Sequence, residues 1–162
     1  MGDDGWKLTH MDAQGRFQMV DVSHKEETER VARAKATVVT SPGTVDRILS
    51  GGVSKGNVLE AARLAGIMAA KRTWELIPLC HPVRITGIRV DLEPLPSSHE
   101  IRITSQVKTM DRTGVEMEAL VAAAHAALTL VDMCKSMDRH LKIVDLRMTF
   151  KSGGKSGVFD AP

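Results

Sequence analysis

Thr113 to Asp138 reads as one long helix, and no other stretch limits the fold as tightly. Thr113 and Glu116 stand at capping-box spacing, which would satisfy the first unpaired backbone donors. Roughly six turns follow without proline or an internal glycine, rich in Ala, Leu and Met. Met117, Leu120, Ala124, Ala127 and Val131 recur at helical spacing and mark an apolar face. Beside it runs a stripe of Glu118, His125, Asp132 and Lys135, at steps that project in similar directions. Solvent would explain such a stripe, and so would a functional site. Glu118 and Asp132 are fourteen residues apart, or about 21 Å along a helix axis. They cannot grip one reacting centre from a single chain. A site using both ends needs a second copy of the helix alongside. Ala122, Ala123, Ala124, Ala126 and Ala127 would let another element come close.

The remainder of the chain supplies layers for this helix. Ala34, Ala36 and Val38 alternate with Arg33, Lys35 and Thr37, a strand pattern starting at Val31. Ser23 to Arg30 before it is charged and suits one helical turn. Thr44 to Leu49 reads as a short helix ended by Gly51-Gly52. Asn57 and Glu60 have capping-box spacing, and the helix they open should run to about Leu76, before Pro78. Ile88, Val90 and Leu92 form a second strand, with Gly87 a candidate bulge. A turn over Pro94 to His99 leads to its hairpin partner from Ile101 to Lys108. Val144, Leu146, Met148 and Phe150 give the last strand. The order strand, helix, strand, strand, helix, strand predicts an α+β, ferredoxin-like split βαβ fold. Two long helices should pack on one face of an antiparallel sheet. Residues 1–18 read as a flexible arm, 19–150 as one domain, and 151–162 as a basic, glycine-rich tail.

At 162 residues the chain suits one domain. Its 43% hydrophobic and 26% charged residues are those of a soluble protein. The net charge of +2 does not by itself imply nucleic acid. RNA readers of this architecture stack bases on strand aromatics, and here the main strands offer only Phe150. No apolar run approaches the roughly 20 residues of a membrane span, and MGDDGWKLTH lacks a signal-peptide core. Two cysteines, Cys80 and Cys134, suit a reducing compartment. A cytoplasmic protein without nucleic-acid or membrane partners is expected.

Four segments carry candidate chemistry. Glycines in KSGGKSG let backbone N–H groups approach oxygens, and Lys151 and Lys155 add charge, so the segment suits phosphate or is a solubilising tail. It is not a Walker A loop, because Thr149 stands where that motif needs its first glycine. Lys55-Gly56-Asn57 at a helix start is either an anion site or a plain cap. In IPLCHP, Cys80 reads as packed and His81 as a hydrogen-bonding or acid/base group held between prolines. No second cysteine or histidine cluster supports a metal there. Asp132 and Lys135 share a face, as a surface ion pair or as a positioned proton-transfer pair. Glu116 reads as a cap, which leaves Glu118 for ligand contact.

Together LTH and MVDVS near the start, AGIMAAKRTWELIPLCHP, TGVEMEAL, DMCK and KSGGKSG resemble the MoaC family of molybdenum cofactor biosynthesis. The resemblance runs from about Leu8 to Gly157. It implies a ferredoxin-like subunit in a homohexamer, a trimer of dimers, with sites at subunit interfaces. It also implies a lyase, cyclic pyranopterin monophosphate synthase. Such an enzyme converts 3′,8-cyclo-7,8-dihydro-GTP to cyclic pyranopterin monophosphate and releases pyrophosphate. Asp132, Lys135 and Lys55 would be catalytic. Leu79, Cys80, His81, Met117 and Glu118 would contact substrate, with Lys151 and Lys155 as triphosphate ligands. No resident cofactor or metal is implied, and Mg²⁺ accompanying the triphosphate stays open. Asn57, His125 and Val131 depart from the family pattern, which usually has Asp, a small or hydroxyl residue, and Tyr there. An inactive relative serving as a nucleotide-binding scaffold is the alternative.

Overall fold

The structure is a computed structural model that describes residues 10–155 and 157–161. Residues 1–9 of the expected arm, and Ser156 and Pro162 of the expected tail, lie outside the described residues. In chain order the elements are β1 (Thr28–Val39), α1 (Thr44–Leu49), α2 (Val58–Ala70), α3 (Thr73–Leu76), β2 (Ile85–Leu95), β3 (Glu100–Asp111), α4 (Glu116–Cys134), β4 (Lys142–Ser152) and β5 (Phe159–Asp160). A 3₁₀ turn at Pro96–Ser98 joins β2 to β3. The sheet order is β2-β3-β1-β4-β5, with every neighbouring pair antiparallel. β3 thus sits between β1 and β2, and β1 between β3 and β4. This is the ferredoxin-like split βαβ plan, extended by one short edge strand.

The core follows from alternation. Ala32, Ala34, Ala36 and Val38 of β1, and Ile101, Ile103 and Val107 of β3, are all buried. Arg33, Arg102, Thr104 and Lys108 point the other way and are exposed. The ladder slips between Ile85 and Gly87, where the glycine marked a bulge. The buried side of β1 is mostly alanine, so α4 lies close over it. Ala119, Ala122, Ala123, Ala126 and Ala127 are fully buried on the facing side of α4. Ser105 Oγ of β3 donates to the Ala119 carbonyl at 2.7 Å, tying sheet to helix. Against α2 the approach is closer still. A Cβ on Gly66 would stand 2.7 Å from the Ala122 carbonyl oxygen. By length and composition α4 would also suit a bilayer, but half of it is buried in this fold, as befits a core helix.

Several boundaries differ from expectation, each for a local reason. The helix opened by Asn57 stops at Ala70 and resumes as α3. Arg72 N–H bonds three residues back to the Ala69 carbonyl, and Thr73 Oγ1 donates to Ala70, which tightens and breaks the ladder. The Thr113–Glu116 capping box does not form. Val115 occupies the cap position of α4 without a side-chain bond, and Glu116 turns toward Lys151, 3.5 Å away. α4 ends at Cys134 rather than Asp138, because the Asp138 carboxylate leaves the helix. It accepts from Ser41 N at 2.7 Å, Ser41 Oγ at 2.9 Å, Thr44 Oγ1 at 3.0 Å and His140 N at 2.9 Å. Ser23 to Arg30 forms no helical turn, since Thr28 already begins β1. Nor is the C-terminal segment simply loose. Lys151 and Ser152 complete β4, and Phe159–Asp160 folds back to pair with Phe150 and Lys151.

The Gly66 contact yields a stability test. On an open helix, glycine to alanine stabilises by about 1 kcal/mol. Gly66→Ala should instead destabilise by about 1–3 kcal/mol, because the methyl must push α4 away from α2. Urea unfolding of the variant beside wild type measures the sign directly.

Candidate active site

A cleft of about 750 Å³ opens at the N-terminal end of α4. Its walls come from three parts of the chain. The loop after α3 supplies Leu79, Cys80 and His81, and the start of α4 supplies Glu116, Met117 and Glu118. Residues before β1 supply His10, Phe17, Val20, Val22 and Lys25. Most of the lining is apolar, with a few polar groups converging, as in sites that orient a flat organic ring.

The stripe carrying Glu118 leaves solvent and a functional site open, with Glu118 the residue expected to touch a ligand. It is 3% exposed, on the wall of the cleft. Burial pushes its carboxyl up to about 7, the Glu116 charge adds to the rise, and the residue's own backbone N–H opposes it. It therefore holds a proton near neutrality and can donate a hydrogen bond. Burial, with the charges of Glu118 and then Glu116, also pushes the Cys80 thiol up. Cys80 thus stays a thiol at neutral pH, not a thiolate nucleophile. His81 Nε2 lies 2.7 Å from the Val20 carbonyl oxygen. A carbonyl only accepts, so Nε2 carries the hydrogen, and in the neutral ring Nδ1 is the acceptor.

A second cavity of about 700 Å³ shares Lys25 with the first and is lined by His24, Lys25, Glu26, Thr28, Arg30, Gly154 and Lys155. The glycines of the C-terminal loop pass hard against Arg30. A Cβ on Gly153 would strike the Glu29 carbonyl and the Arg30 side chain, one on Gly154 would strike the Arg30 guanidinium, and both glycines have positive φ. Arg30 Nε and Arg112 Nε are buried donors with no hydrogen-bond partner among the described residues. Arg112 Nε lies 4.0 Å from Glu27 Oε1. The Lys25, Arg30 and Lys155 cations around this recess outnumber its one carboxylate, Glu26, and suit a multiply charged anion.

The remaining expected residues meet at the other end of α4. Lys135 Nζ stands 2.6 Å from Asp132 Oδ1. Lys55 Nζ stands 3.5 Å from Asp132 Oδ2 and donates to the Asp132 carbonyl at 2.9 Å. Gly56, with φ of 96°, turns the chain just after Lys55. Asn57 then caps α2 by accepting from Glu60 N–H, so it serves as a cap even where the family usually has Asp. The hydrogen bond and charge of Lys135, then the charge of Lys55, hold the Asp132 carboxyl below its ordinary range. All three side chains are substantially exposed.

One chain therefore assembles two groups. Leu79, Cys80, His81, Met117 and Glu118 line the cleft, with Lys151 beside Glu116 and Lys155 in the adjoining basic recess. Lys55, Asp132 and Lys135 gather at the far end of the helix and join neither cavity. The sequence reading missed Lys25, Arg30 and Arg112, and it missed the cleft wall made by residues 10–22. Arg30 alternates with the buried side of β1, a weak pointer. Nothing local in the sequence marks the other two. Among the described residues no group of three His, Cys, Asp or Glu could hold a metal ion.

The MoaC family model matches residues 19–154. A protein of Desulforapulum autotrophicum named cyclic pyranopterin monophosphate synthase is 54% identical over 152 residues, 94% of this chain and 93% of that protein. Proteins of the same name from Methylobacterium nodulans and Desulforamulus reducens are 55% and 52% identical. They cover 95% and 94% of this chain, and 96% and 93% of their own lengths.

Glu118 makes stability depend on pH in a window of its own. The folded carboxyl keeps its proton to about 7, whereas the unfolded one releases it near its ordinary 4.5. Between these values the unfolded chain binds fewer protons, so raising the pH favours unfolding. Stability should fall by on the order of 2–3 kcal/mol from pH 5 to pH 8. Glu118→Gln should flatten that fall and be the more stable protein at pH 8. Denaturant midpoints of both proteins at the two pH values provide the check.

Proposed function

The chain belongs to the MoaC family, and from that membership and the site we propose that it is a cyclic pyranopterin monophosphate synthase. Its substrate is the GTP-derived 3′,8-cyclo-7,8-dihydro-GTP. Its products are cyclic pyranopterin monophosphate and pyrophosphate. The observation that carries this reading is the continuity of an apolar, acid-bearing cleft with a cationic recess through Lys25. Such a pair suits a molecule with a ring at one end and a triphosphate at the other. Met117 and Leu79 contact the ring. The protonated Glu118 and His81 orient its nitrogens. Lys151 and Lys155 hold the triphosphate with Lys25, Arg30 and Arg112.

Two kinds of step are required. The purine-derived ring must open and reclose as a pterin, which moves protons on and off nitrogen. Lys55 and Lys135 around Asp132 are the groups for this work. A sugar hydroxyl then attacks the α-phosphorus and loses its proton to a base. The bond from the α-phosphorus to its bridging oxygen breaks, and pyrophosphate leaves. Fixed cations stabilise the charge that develops on the phosphate oxygens without covalent chemistry. We propose no resident cofactor. Mg²⁺ would enter only as a companion of the triphosphate, and turnover after exhaustive chelation tests that. The enzyme is assigned to the cytoplasm.

Lys55, Asp132 and Lys135 must come to the cleft from another subunit, so the site is proposed to be shared within a homohexamer. Three features support antiparallel pairing of α4 with its copy. A stripe of Leu120, Ala124, Leu128 and Val131 connects the two groups; Leu120 and Val131 are half-buried against the core, and Leu128 is 53% exposed. The glutamates at one end complement the lysines at the other. A covering subunit would also dry the exposed lysines, and desolvation favours a neutral amine able to take a proton.

Asp132→Asn and Lys135→Ala should lower pyrophosphate release at least about a hundredfold while leaving oligomer size unchanged. Wild-type rates in either variant would remove the assignment. Mixed oligomers of Glu118→Ala and Lys135→Ala subunits should recover part of the activity, since some interfaces would hold an intact site. No recovery in verified mixed oligomers would contradict sharing.

The pairing can also be tested without turnover. His125 lies midway between Glu118 and Asp132. Two antiparallel copies that align those residues bring each His125 to its own copy. His125→Cys should therefore form a disulfide-linked dimer under mild oxidation, faster than Thr129→Cys, one turn away. Equal rates would point to another packing.

A further inference from the structure

The cleft has one wall that the residues assigned above do not use. His10 to Gln18 forms a small hairpin closed by a bridge between Met11 and Phe17. It is internally tight. The Asp12 carboxylate accepts from Gln14 N and Arg16 N, each at 2.9 Å, and pairs with Arg16 Nε at 2.7 Å. Gln18 N–H donates to the His10 carbonyl at 3.0 Å, and Gln18 Nε2 to the Met11 carbonyl at 3.3 Å. Among the described residues, every hydrogen bond made by residues 10–18 stays within the hairpin. Its tie to the body lies just beyond, where the Val20 carbonyl accepts from His81. Among the described residues, a stiff piece with no hydrogen bond of its own to the body can swing as a unit.

At the inner side of this piece stands Phe17, which lines the cleft yet is 81% exposed. The protein has only three phenylalanines. An exposed phenyl ring on a stiff turn, facing an apolar cavity, lacks only a flat partner. We propose that Phe17 is a substrate-stacking residue, and that the hairpin closes to lay its ring on the bicyclic base of the bound nucleotide. The inference rests on the proposed function, and it deepens that reading by naming what holds the ring face. Stacking suits this reaction because a π-face persists while ring atoms are rearranged, whereas individual hydrogen-bonding edges change. The tether sharpens the coupling. His81 both borders the ring and holds the hairpin's root, so closure and substrate contact meet on one side chain.

The test compares Phe17→Ala, Phe17→Leu and Phe17→Trp in the full-length protein, assaying pyrophosphate release from cyclised dihydro-GTP. Removing a stacked aromatic from a base typically weakens binding about five- to a hundredfold. KM should rise by that order in the alanine and leucine variants, with kcat within about threefold of wild type. Tryptophan should restore a near-normal KM, which a merely bulky role would not require. Indole emission of Phe17→Trp should change on adding the substrate but not on adding pyrophosphate alone. A wild-type KM in Phe17→Ala, or equal KM values for leucine and tryptophan, would overturn the proposal. So would a change of oligomer size in Phe17→Ala, which would give the ring to a subunit contact instead. A wild-type protein that releases no pyrophosphate would strike the functional reading itself. Unchanged kinetics in Phe17→Ala beside an active wild type would strike the stacking role alone.

Discussion

The separation between α4 and its neighbours is set by backbone, not by side chains. Gly66 meets the Ala122 carbonyl with no room for a methyl. The buried faces of β1 and α4 are largely alanine. Contacts of this kind gain little from any one residue, but they leave few alternative positions. A leucine-lined interface can slide or repack, whereas a glycine seated on a carbonyl cannot. Asp138 then fixes the far end of the helix by accepting four hydrogen bonds from Ser41, Thr44 and His140. The helix is a rigid bar, and its two ends are held at a set distance and angle.

Those ends present two carboxyl groups in opposite environments. Glu118 is closed into an apolar wall and pushed up to about 7. Asp132 stands in solvent with a lysine on either side and is held below its ordinary range. One group donates near neutral pH and the other only accepts. The same helix thus supplies an acid at one end and an ionised base-like anchor at the other, set by packing and neighbours alone. The cationic recess is a third environment. Arg30 borders it, and its buried Nε makes no hydrogen bond among the described residues, nor does that of Arg112, which adjoins Arg30 without lining the recess. Buried donors left open are costly unless something arrives to accept from them. In this chain the cost falls where an oxyanion is proposed to bind.

Much of this was legible in the order of residues. Period-two alternation located β1, β2, β3 and β4, and Gly87 marked a true bulge. Asn57 announced its cap correctly. Asp132 and Lys135 could be paired from one short segment, whereas Lys55 joined them only through the family resemblance. The misses share a cause. Thr113 and Glu116 match a capping pattern, but Lys151, far along the chain, draws Glu116 away. A helical wheel leaves Glu118 either solvated or functional, and only the loop carrying Leu79, Cys80 and His81 decides between them by helping to wall the cleft. Lys25 and Arg30 sit in a charged stretch that reads as one helical turn, although β1 already begins at Thr28. Only the return of Gly153 and Gly154 across Arg30 makes them part of a recess. Local pattern carries the elements, and long-range contact decides which charged residues are buried.

Splitting a site between copies has a physical consequence beyond geometry. On a single chain the lysines beside Asp132 are wet, and a solvated ammonium is a poor proton acceptor. Glu118 already sits in a dry wall, away from the lysines beside Asp132. Bringing the two ends together on assembly would dry the lysines and bring their charges to the cleft in one event. Proton-transfer power would then be conditional on oligomerisation, and a lone subunit would hold the substrate's ring and phosphates without rearranging it. The exposed stripe through Leu128 belongs to the same logic. Apolar burial along the helix would supply the association energy, while the two ends would supply the register. Under the proposed assembly, that division of labour would let an alanine-rich, weakly adhesive helix serve both as an interface and as the spine of a catalytic site.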